Sequence, residues 1–239
     1  MADQPIPTLT VVMPAYNEAG AIREVVMGWD RQLATLGVPY EIRVYDDGSR
    51  DGTGDLLAAV AGECSTVAAV RQTNRGHGPT ILRGYREARG EWIFQTDSDD
   101  EIGPESFPLV WERRHEADLV LGYRDGRAAP PARRLVTAVA RWTVRLAFGA
   151  RVRDANTPFR LYRRAALERL LAAVPPDTFA PNVLLTGLAW SAGLRVVEVP
   201  VPHRGRRTGA SSIAKLRLLR AAALSFVQTA RVALARRRR

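Results

Sequence analysis

The sequence has a single cysteine, Cys64, in 239 residues. That excludes an internal disulfide and a multi-cysteine zinc site, and Cys64 reads as a small packing residue rather than a nucleophile. No uninterrupted apolar stretch approaches the roughly 18 residues a membrane-spanning helix needs. The first eight residues hold an acid and two prolines, not the basic start and apolar run of a secretory leader. These two absences lead to the expectation of a cytoplasmic chain that does not cross a membrane. Acid is missing from one end: His203 to Arg239 holds 11 Lys or Arg and no Asp or Glu. The remaining 24 basic residues face all 25 acidic ones, so the net charge of +10 belongs to the tail. Such a tail suits an anionic partner, whether phospholipid, nucleic acid or an acidic protein. Phe226 is the only aromatic in it, which argues against nucleic acid, where bases stack on aromatics interleaved with basic residues.

A hydrophobic fraction of 46% excludes a disordered chain, and the length suits one α/β domain with a short appendage. Thr8 to Met13, Tyr40 to Tyr45, Thr66 to Arg71, Glu91 to Thr96 and Asp118 to Gly122 read as strands, with Leu194 to Val201 returning to the sheet or its rim. Helical spacing marks Glu18 to Leu36, Asp51 to Val60, Pro79 to Arg89, Leu135 to Phe148, Ala165 to Leu171 and Ser212 to Ala235. Arg124 to Arg134 reads as a loop. The alternation of strand and helix predicts a mainly parallel, Rossmann-like sheet flanked by helices, followed by a basic amphipathic helix. Ligands of such sheets bind beyond the carboxyl ends of the strands, so the polar clusters after the first, second and fourth strands are expected to share one crevice.

Asp97-Ser98-Asp99 follows the fourth strand. Alternate residues of a strand end face the same way, so Asp97 and Asp99 suit one hard divalent cation, Mg²⁺ or Mn²⁺, with phosphates and water completing its shell. A polar turn rich in capping residues is the plainer reading of the same spacing. Asp46-Asp47-Gly48-Ser49 closes the second strand, as a turn and helix cap or as a carboxylate that accepts hydrogen bonds from a nucleobase. After the first strand, Tyr16 suits stacking on a base and Glu18 a ribose contact or a helix cap. Asn74 to Gly78 (NRGHG) allows close backbone approach to a ligand but is not GxGxxG. His77 in it reads as structural or solvent-facing.

VVMPAYNEAGAI, VYDDGSRDGT and NRGHGPTILRGYREARGEWIFQTDSDDE, in that order, resemble the family 2 glycosyltransferases of GT-A fold. LVLGYR, DANTPFRLYRR and EVPVPHRGRRTGASS look like the dolichyl-phosphate mannose synthase and polyprenyl-phosphate glycosyltransferase branch. The resemblance runs from about Thr8 to Ser212. It implies a GT-A domain over residues 1–211 and an appendage over 212–239. It implies an inverting hexosyltransferase that moves a sugar from a nucleoside diphosphate sugar to a polyprenyl phosphate. In its light Pro14, Tyr16, Glu18, Val44, Asp46, Asp47, Asp97, Ser98, Asp99 and Arg124 belong to the nucleotide-sugar site. Asp97 and Asp99 are its metal ligands. Arg133, Arg134, Arg206 and Ser211 face the acceptor phosphate, and Asp99, Asp154 and Arg206 are the catalytic set.

Departures from the family pattern bear on acceptor and sugar. DSDDE stands where DADLQ is common, so Glu101 adds a carboxylate. Pro158 replaces the glycine of the GFR-like segment, and Ser212 the common lysine. QxxRW is missing, which points to a single transfer. An amphipathic, basic C-terminal helix predicts peripheral contact with the inner face of a membrane, through lipid, a membrane partner or a homo-oligomer. The other enzymatic reading is a soluble GT-A glycosyltransferase with a small-molecule or glycan hydroxyl acceptor, for which Asp154 or Asp100 would serve as base.

Overall fold

A computed structural model describes residues 6–124, 131–202 and 215–237. Its sheet has seven strands: β1 (Leu9–Ala15), β2 (Tyr40–Asp46), β3 (Val67–Arg71), β4 (Trp92–Gln95), β5 (Leu119–Arg124), β6 (Arg160–Arg163) and β7 (Val196–Val201), in the order β3-β2-β1-β4-β6-β5-β7. All neighbours run parallel except β6, which is antiparallel to both β4 and β5. The helices are α1 (Ile22–Ala34), α2 (Thr53–Glu63), α3 (His77–Glu87), the short α4 (Phe107–Trp111), α5 (Pro131–Phe148), α6 (Arg164–Leu171), α7 (Pro181–Ser191) and α8 (Lys215–Arg237).

β1 is buried along its whole length because both faces of a parallel sheet are covered. Val11 and Met13 point into one core with Trp29, Phe94, Phe107 and Phe159, while Val12 points into the other with Ile81, Tyr85, Leu121, Tyr162 and the apolar side chains of α7. This is the period-two alternation of a strand dividing two layers. Phe94 sits edge-on to Phe107 at 4.7 Å and to Phe159 at 4.8 Å between ring centroids, and Trp29 is 5.4 Å from Phe94. Offset and edge contacts of this kind add to the area they bury.

The expected strands and amphipathic helices are present, with ends shifted by a few residues. Two elements go beyond the sequence reading. β6 is four residues long and flanked by arginines, too short and too charged for a strand pattern. α7 is buried on nearly every side, so it lacks the polar face that periodicity detects. The segment read as a loop from Arg124 to Arg134 instead begins a helix at Pro131, a residue suited to the first helical turn. α8 lies against α5 and α7 with Thr229 and Ala233 buried. Among the described residues no helix is long and apolar enough to cross a membrane.

Strands β2 and β4 flank β1 on opposite sides, so the chain reverses its winding beside β1. The carboxyl ends of β1 and β4 therefore open on the crevice where such sheets take ligands. Trp29→Ala should lower unfolding free energy by about 3–5 kcal/mol in a denaturant titration, because the surrounding rings cannot close over the void.

Candidate active site

The segment after β1 and the segment after β2 are stapled together. Ser49 Oγ accepts the Asn17 N–H at 2.9 Å, Thr53 Oγ1 accepts the Glu18 N–H at 2.9 Å, and Asp51 Oδ2 accepts the Ala19 N–H at 3.0 Å. Asn17, held at a φ of 54°, returns the link by accepting the Arg50 N–H at 2.9 Å. The polar residues of DDGSRDGT thus satisfy backbone groups of PAYNEA, which leaves Tyr16 46% exposed at the crevice. Pro14 is buried in β1, and Val44 lies wholly inside the apolar core two residues before the end of β2.

Asp46 and Asp47 have separate duties. Asp46 Oδ1 accepts the Ser49 N–H at 2.9 Å, and its Oδ2 lies 3.7 Å from the Arg71 guanidinium. Asp47, 4% exposed, accepts hydrogen bonds from Gln72 at 2.7 Å and from the backbone N–H groups of Arg75 and Gly76 at 2.8 Å each. It therefore fastens the NRGHG loop to the end of β2. Gly48 makes the junction possible. It has a φ of +75°, and a side chain there would strike the Asn74 backbone.

The NRGHG loop leads into α3, whose first residue is His77. Its Nε2 lies 3.7 Å from Asp97 Oδ1, a buried carboxylate oxygen with no hydrogen-bond donor among the described residues. Gly78 lets α3 start here, since the carbonyls of Thr178 and Phe179 leave no room for a Cβ. The Phe179 N–H is held in turn by Gln228 of α8 at 2.9 Å. His77 is exposed, in line with the sequence reading of it as solvent-facing; what that reading did not include is its approach to Asp97, for which the signal was the position of NRGHG after a strand of the same sheet edge.

Past β4, Ser98 is buried, Asp99 Oδ1 accepts the Glu101 N–H at 3.2 Å, and Asp100 has a φ of 53°. Glu101 turns inward: its Oε2 is 3.6 Å from Arg124 Nη1 at the end of β5. Asp154 Oδ2 lies 3.8 Å from Arg124 Nε, and Asp154 Oδ1 accepts the Asn156 N–H at 3.1 Å. Arg124 thus sits between the DSDDE loop and the DANTPFR segment, two motifs more than 50 positions apart. Glu198 of β7 closes the far side by accepting the Arg153 N–H at 2.6 Å, and burial raises the pKa of that carboxyl.

A divalent cation fits the chemistry of this edge only in part. The undonated oxygen of Asp97 is a ready ligand, and Asp99 follows two residues on. Among the described residues no three Asp, Glu, His or Cys side chains gather as a complete cage. A metal here would draw on a substrate diphosphate and water for the rest of its shell, as Mg²⁺ commonly does. Of the acceptor residues named from sequence, Arg133 and Arg134 fall at the start of α5 with side chains outside the described set. Arg206 and Ser211 lie outside the described residues.

The model of the family described as glycosyl transferase family 2 matches residues 10–171. The chain belongs to that family. It is 33% identical over 222 residues to an undecaprenyl-phosphate 4-deoxy-4-formamido-L-arabinose transferase of Pseudomonas paraeruginosa, and 31% over 218 residues to a protein of the same name from Klebsiella pneumoniae. Those matches cover 92% and 90% of this chain but only 64% and 65% of the relatives. Among solved structures it resembles glucosyl-3-phosphoglycerate synthase of Mycobacterium tuberculosis in complex with Mn²⁺, uridine-diphosphate and glucosyl-3-phosphoglycerate, with a TM-score of 0.65, 21% identity, and 96% and 80% of the two chains covered. A mannosyltransferase of Pyrobaculum calidifontis in complex with GDP-Man and Mn²⁺ gives 0.59, 22%, and 96% and 73%. These likenesses establish the fold, which is GT-A.

Asp51 offers a test of the stapled loops. Burial works against its charge, yet hydrogen bonds from the Thr53 hydroxyl and from the N–H groups of Ala19 and Thr53 hold its pKa below the ordinary value. With the folded pKa depressed, its contribution is present above the ordinary carboxylate range and is lost as pH falls through the folded value. Thermal unfolding between about pH 7 and pH 2 should show Asp51→Asn less sensitive to acid than the parent.

Proposed function

We propose that this family 2 chain transfers a sugar from a nucleoside diphosphate sugar to a polyprenyl phosphate at the cytoplasmic surface of a membrane, with inversion. The observation that carries this is Arg124, a cation at the sheet edge flanked by Glu101 of the donor motif and by Asp154 of the segment expected to meet the acceptor. Donor and acceptor elements that share one guanidinium are set for a transfer between them. The names of the relatives, which act on undecaprenyl phosphate, support the acceptor class.

In this reading Tyr16 stacks on the base, and Asp47 shapes the base pocket while it holds NRGHG. Pro14, Glu18, Val44, Asp46 and Ser98 complete the nucleotide-sugar walls. Asp97 and Asp99 hold Mg²⁺ or Mn²⁺, which offsets negative charge on the diphosphate when bound. Arg124 turns from its carboxylates toward the departing diphosphate and stabilises its charge. The acceptor phosphate is gathered by Arg133, Arg134, Arg206 and Ser211. A phosphate monoester has a second pKa near about 6, so its oxygen attacks as an anion and requires no base. The bond from the sugar C1 to the diphosphate breaks with the electron pair leaving on oxygen, while the bond from C1 to the acceptor phosphate forms. Asp154 orients Arg124 and the acceptor phosphate. The appendage over residues 212–239 serves attachment rather than chemistry.

Two helices provide the membrane contact. α5 exposes Trp142 (52%) and Leu146 (67%), with Arg141 and Arg145 also exposed and the Arg145 guanidinium 5.3 Å from the Trp142 ring centroid. α8, packed on α5, exposes Leu224, Phe226, Val227 and Leu234, and Arg231 stands out beside them. Every exposed charge named here is positive, so two copies of this face would repel, whereas anionic headgroups would attract it.

A soluble acceptor is the second reading. It is favoured by the fold likeness to a synthase also solved with phosphoglyceric acid, and it would recruit Asp154 as general base.

Asp97→Ala should abolish Mn²⁺-dependent binding of the nucleotide in a calorimetric panel of UDP, GDP and TDP, together with sugar transfer. Tight metal-dependent nucleotide binding by that variant would remove the metal site. In co-sedimentation with phosphatidylglycerol vesicles, Trp142→Ser with Leu146→Ser should weaken binding by about 10-fold or more, and added salt should weaken the parent. A parent chain that ignores vesicles yet glycosylates a soluble acceptor would favour the second reading.

A further inference from the structure

Arg160 is fully buried, the second largest of the wholly buried side chains after Trp29. An unpaired guanidinium in a core carries a desolvation penalty of several kcal/mol, and among the described residues no carboxylate answers this one. It meets neutral acceptors instead. Nε donates to the Thr157 carbonyl at 2.8 Å, and Nη2 to the Ala155 carbonyl at 3.1 Å. Nη1 faces the Tyr162 hydroxyl at 2.9 Å and the Asn182 carbonyl at 3.1 Å. Two of these acceptors belong to the loop directly after Asp154. A core built for stability alone is served as well or better by an apolar side chain of similar volume, so a cation kept here needs another reason.

The surroundings supply one. Arg160 opens β6 and is paired across the sheet with Gln95, two residues before Asp97, and with Leu121, three before Arg124. It therefore lies directly beneath the point where the donor motif and the Arg124 strand end. From there it holds the 155–157 loop from below. The same loop is met from the side by α7, where the Thr186 hydroxyl, 2.8 Å from the Asn182 carbonyl of its own helix, also lies 3.1 Å from the Ala155 carbonyl. On the opposite side Thr157 Oγ1 donates to the Gly122 carbonyl at 2.6 Å, two residues before Arg124. Pro158 adds stiffness by restricting Thr157 to extended backbone. The loop is thus pinned on three sides, and Asp154 projects from its upstream end toward Arg124.

We propose that Arg160 is a positioning residue for sugar transfer: by clamping the Ala155 and Thr157 carbonyls it fixes Asp154 against Arg124 and so sets where the acceptor phosphate meets the donor. None of the hydrogen bonds of Arg160 goes to Asp97 or to the loops after β1 and β2, so the clamp governs the acceptor and the chemical step rather than donor affinity. The inference deepens the reading above and rests on it for the role of Asp154.

The experiment compares the full chain with Arg160→Met, Arg160→Lys, Asp154→Asn and the double variant Arg160→Met with Asp154→Asn. Thermal unfolding establishes that each folds, and hydrogen exchange follows the amides of Asn156 and Phe159. Steady-state kinetics use the nucleoside diphosphate sugar that the parent selects from a panel of UDP-, GDP- and TDP-sugars, with undecaprenyl phosphate as acceptor, and calorimetry measures the matching nucleoside diphosphate with Mn²⁺. Arg160→Met is expected to stay folded, to speed exchange at Asn156 and Phe159, and to bind that nucleoside diphosphate within about 3-fold of the parent. Its kcat/KM for undecaprenyl phosphate should fall by about 10- to 100-fold. Arg160→Lys, which retains the charge but loses the planar fork, should recover only part of that. The double variant should be no worse than Asp154→Asn, since residues that act through one another are not additive. Parent-like exchange at Asn156 in Arg160→Met, or losses in kcat/KM that multiply in the double variant, would overturn the proposal. Asp154→Asn or the parent failing to distinguish itself in transfer would instead sink the acceptor reading; the clamp is then judged by exchange alone, where unchanged protection refutes it.

Discussion

Carboxylates brought to one edge of a sheet repel one another. Two like unit charges 4 Å apart repel by about 1 kcal/mol in water and about 4 kcal/mol at the effective dielectric near a protein surface. The end of this sheet carries Asp46, Asp47, Asp51, Asp97, Asp99, Glu101 and Asp154, and the fold exists in this form because most of them are answered. Backbone N–H groups answer Asp46, Asp47, Asp51, Asp99 and Asp154, and Arg124 stands between Glu101 and Asp154. Among the described residues two buried carboxylate oxygens lack a hydrogen-bond donor, Asp46 Oδ2 and Asp97 Oδ1. Asp46 Oδ2 has the Arg71 guanidinium 3.7 Å away, whereas Asp97 Oδ1 has only the His77 imidazole at 3.7 Å.

That economy gives the motifs two jobs at once. The acidic and hydroxyl residues of DDGSRDGT close hydrogen bonds of PAYNEA and NRGHG, so three loops from three strand ends become one wall. Rigidity of this kind is what a transfer reaction needs, because reacting atoms must be held near contact distance. The wall is then tied inward. Tyr85, whose pKa burial drives well above its ordinary value, stays protonated and donates a hydrogen bond to Gln95 Oε1 at 2.6 Å, and Gln95 on β4 is paired with Arg160 on β6.

On the opposite side the protein is looser in its chemistry and broader in its contacts. α5 and α8 bury their small residues against each other and α7 and leave aromatic, aliphatic and arginine side chains outward. Gln228 of α8 reaches the Phe179 N–H, and the Phe179 carbonyl presses on Gly78 beside His77. The helices that face outward are therefore in physical continuity with the start of α3 at the crevice.

Sequence alone determined the α/β class, the parallel β1 to β4 half and the residues at the strand ends, because strand alternation, helix periodicity and turn chemistry are local properties of the chain. The long-range pairs were not legible in that way. β6 is too short and too charged to announce itself, and its antiparallel insertion between β4 and β5 depends on which edges are free once the other strands have paired. α7 is apolar all round, so no period distinguishes its faces. Asp47 was visible as an acid at a strand end, but its three hydrogen bonds to the NRGHG region follow from the close passage of backbone at Gly48. Glu101 was visible as a departure from a pattern, and only the crossing of β5 beside β6 put Arg124 within reach of it. Arg160 was legible as the arginine of a GFR-like segment, but its burial was not; its acceptors come from the 155–157 loop, from Tyr162 of β6 and from Asn182 and Thr186 of α7, since a guanidinium stays in a core only where packing delivers enough oxygen atoms to replace water.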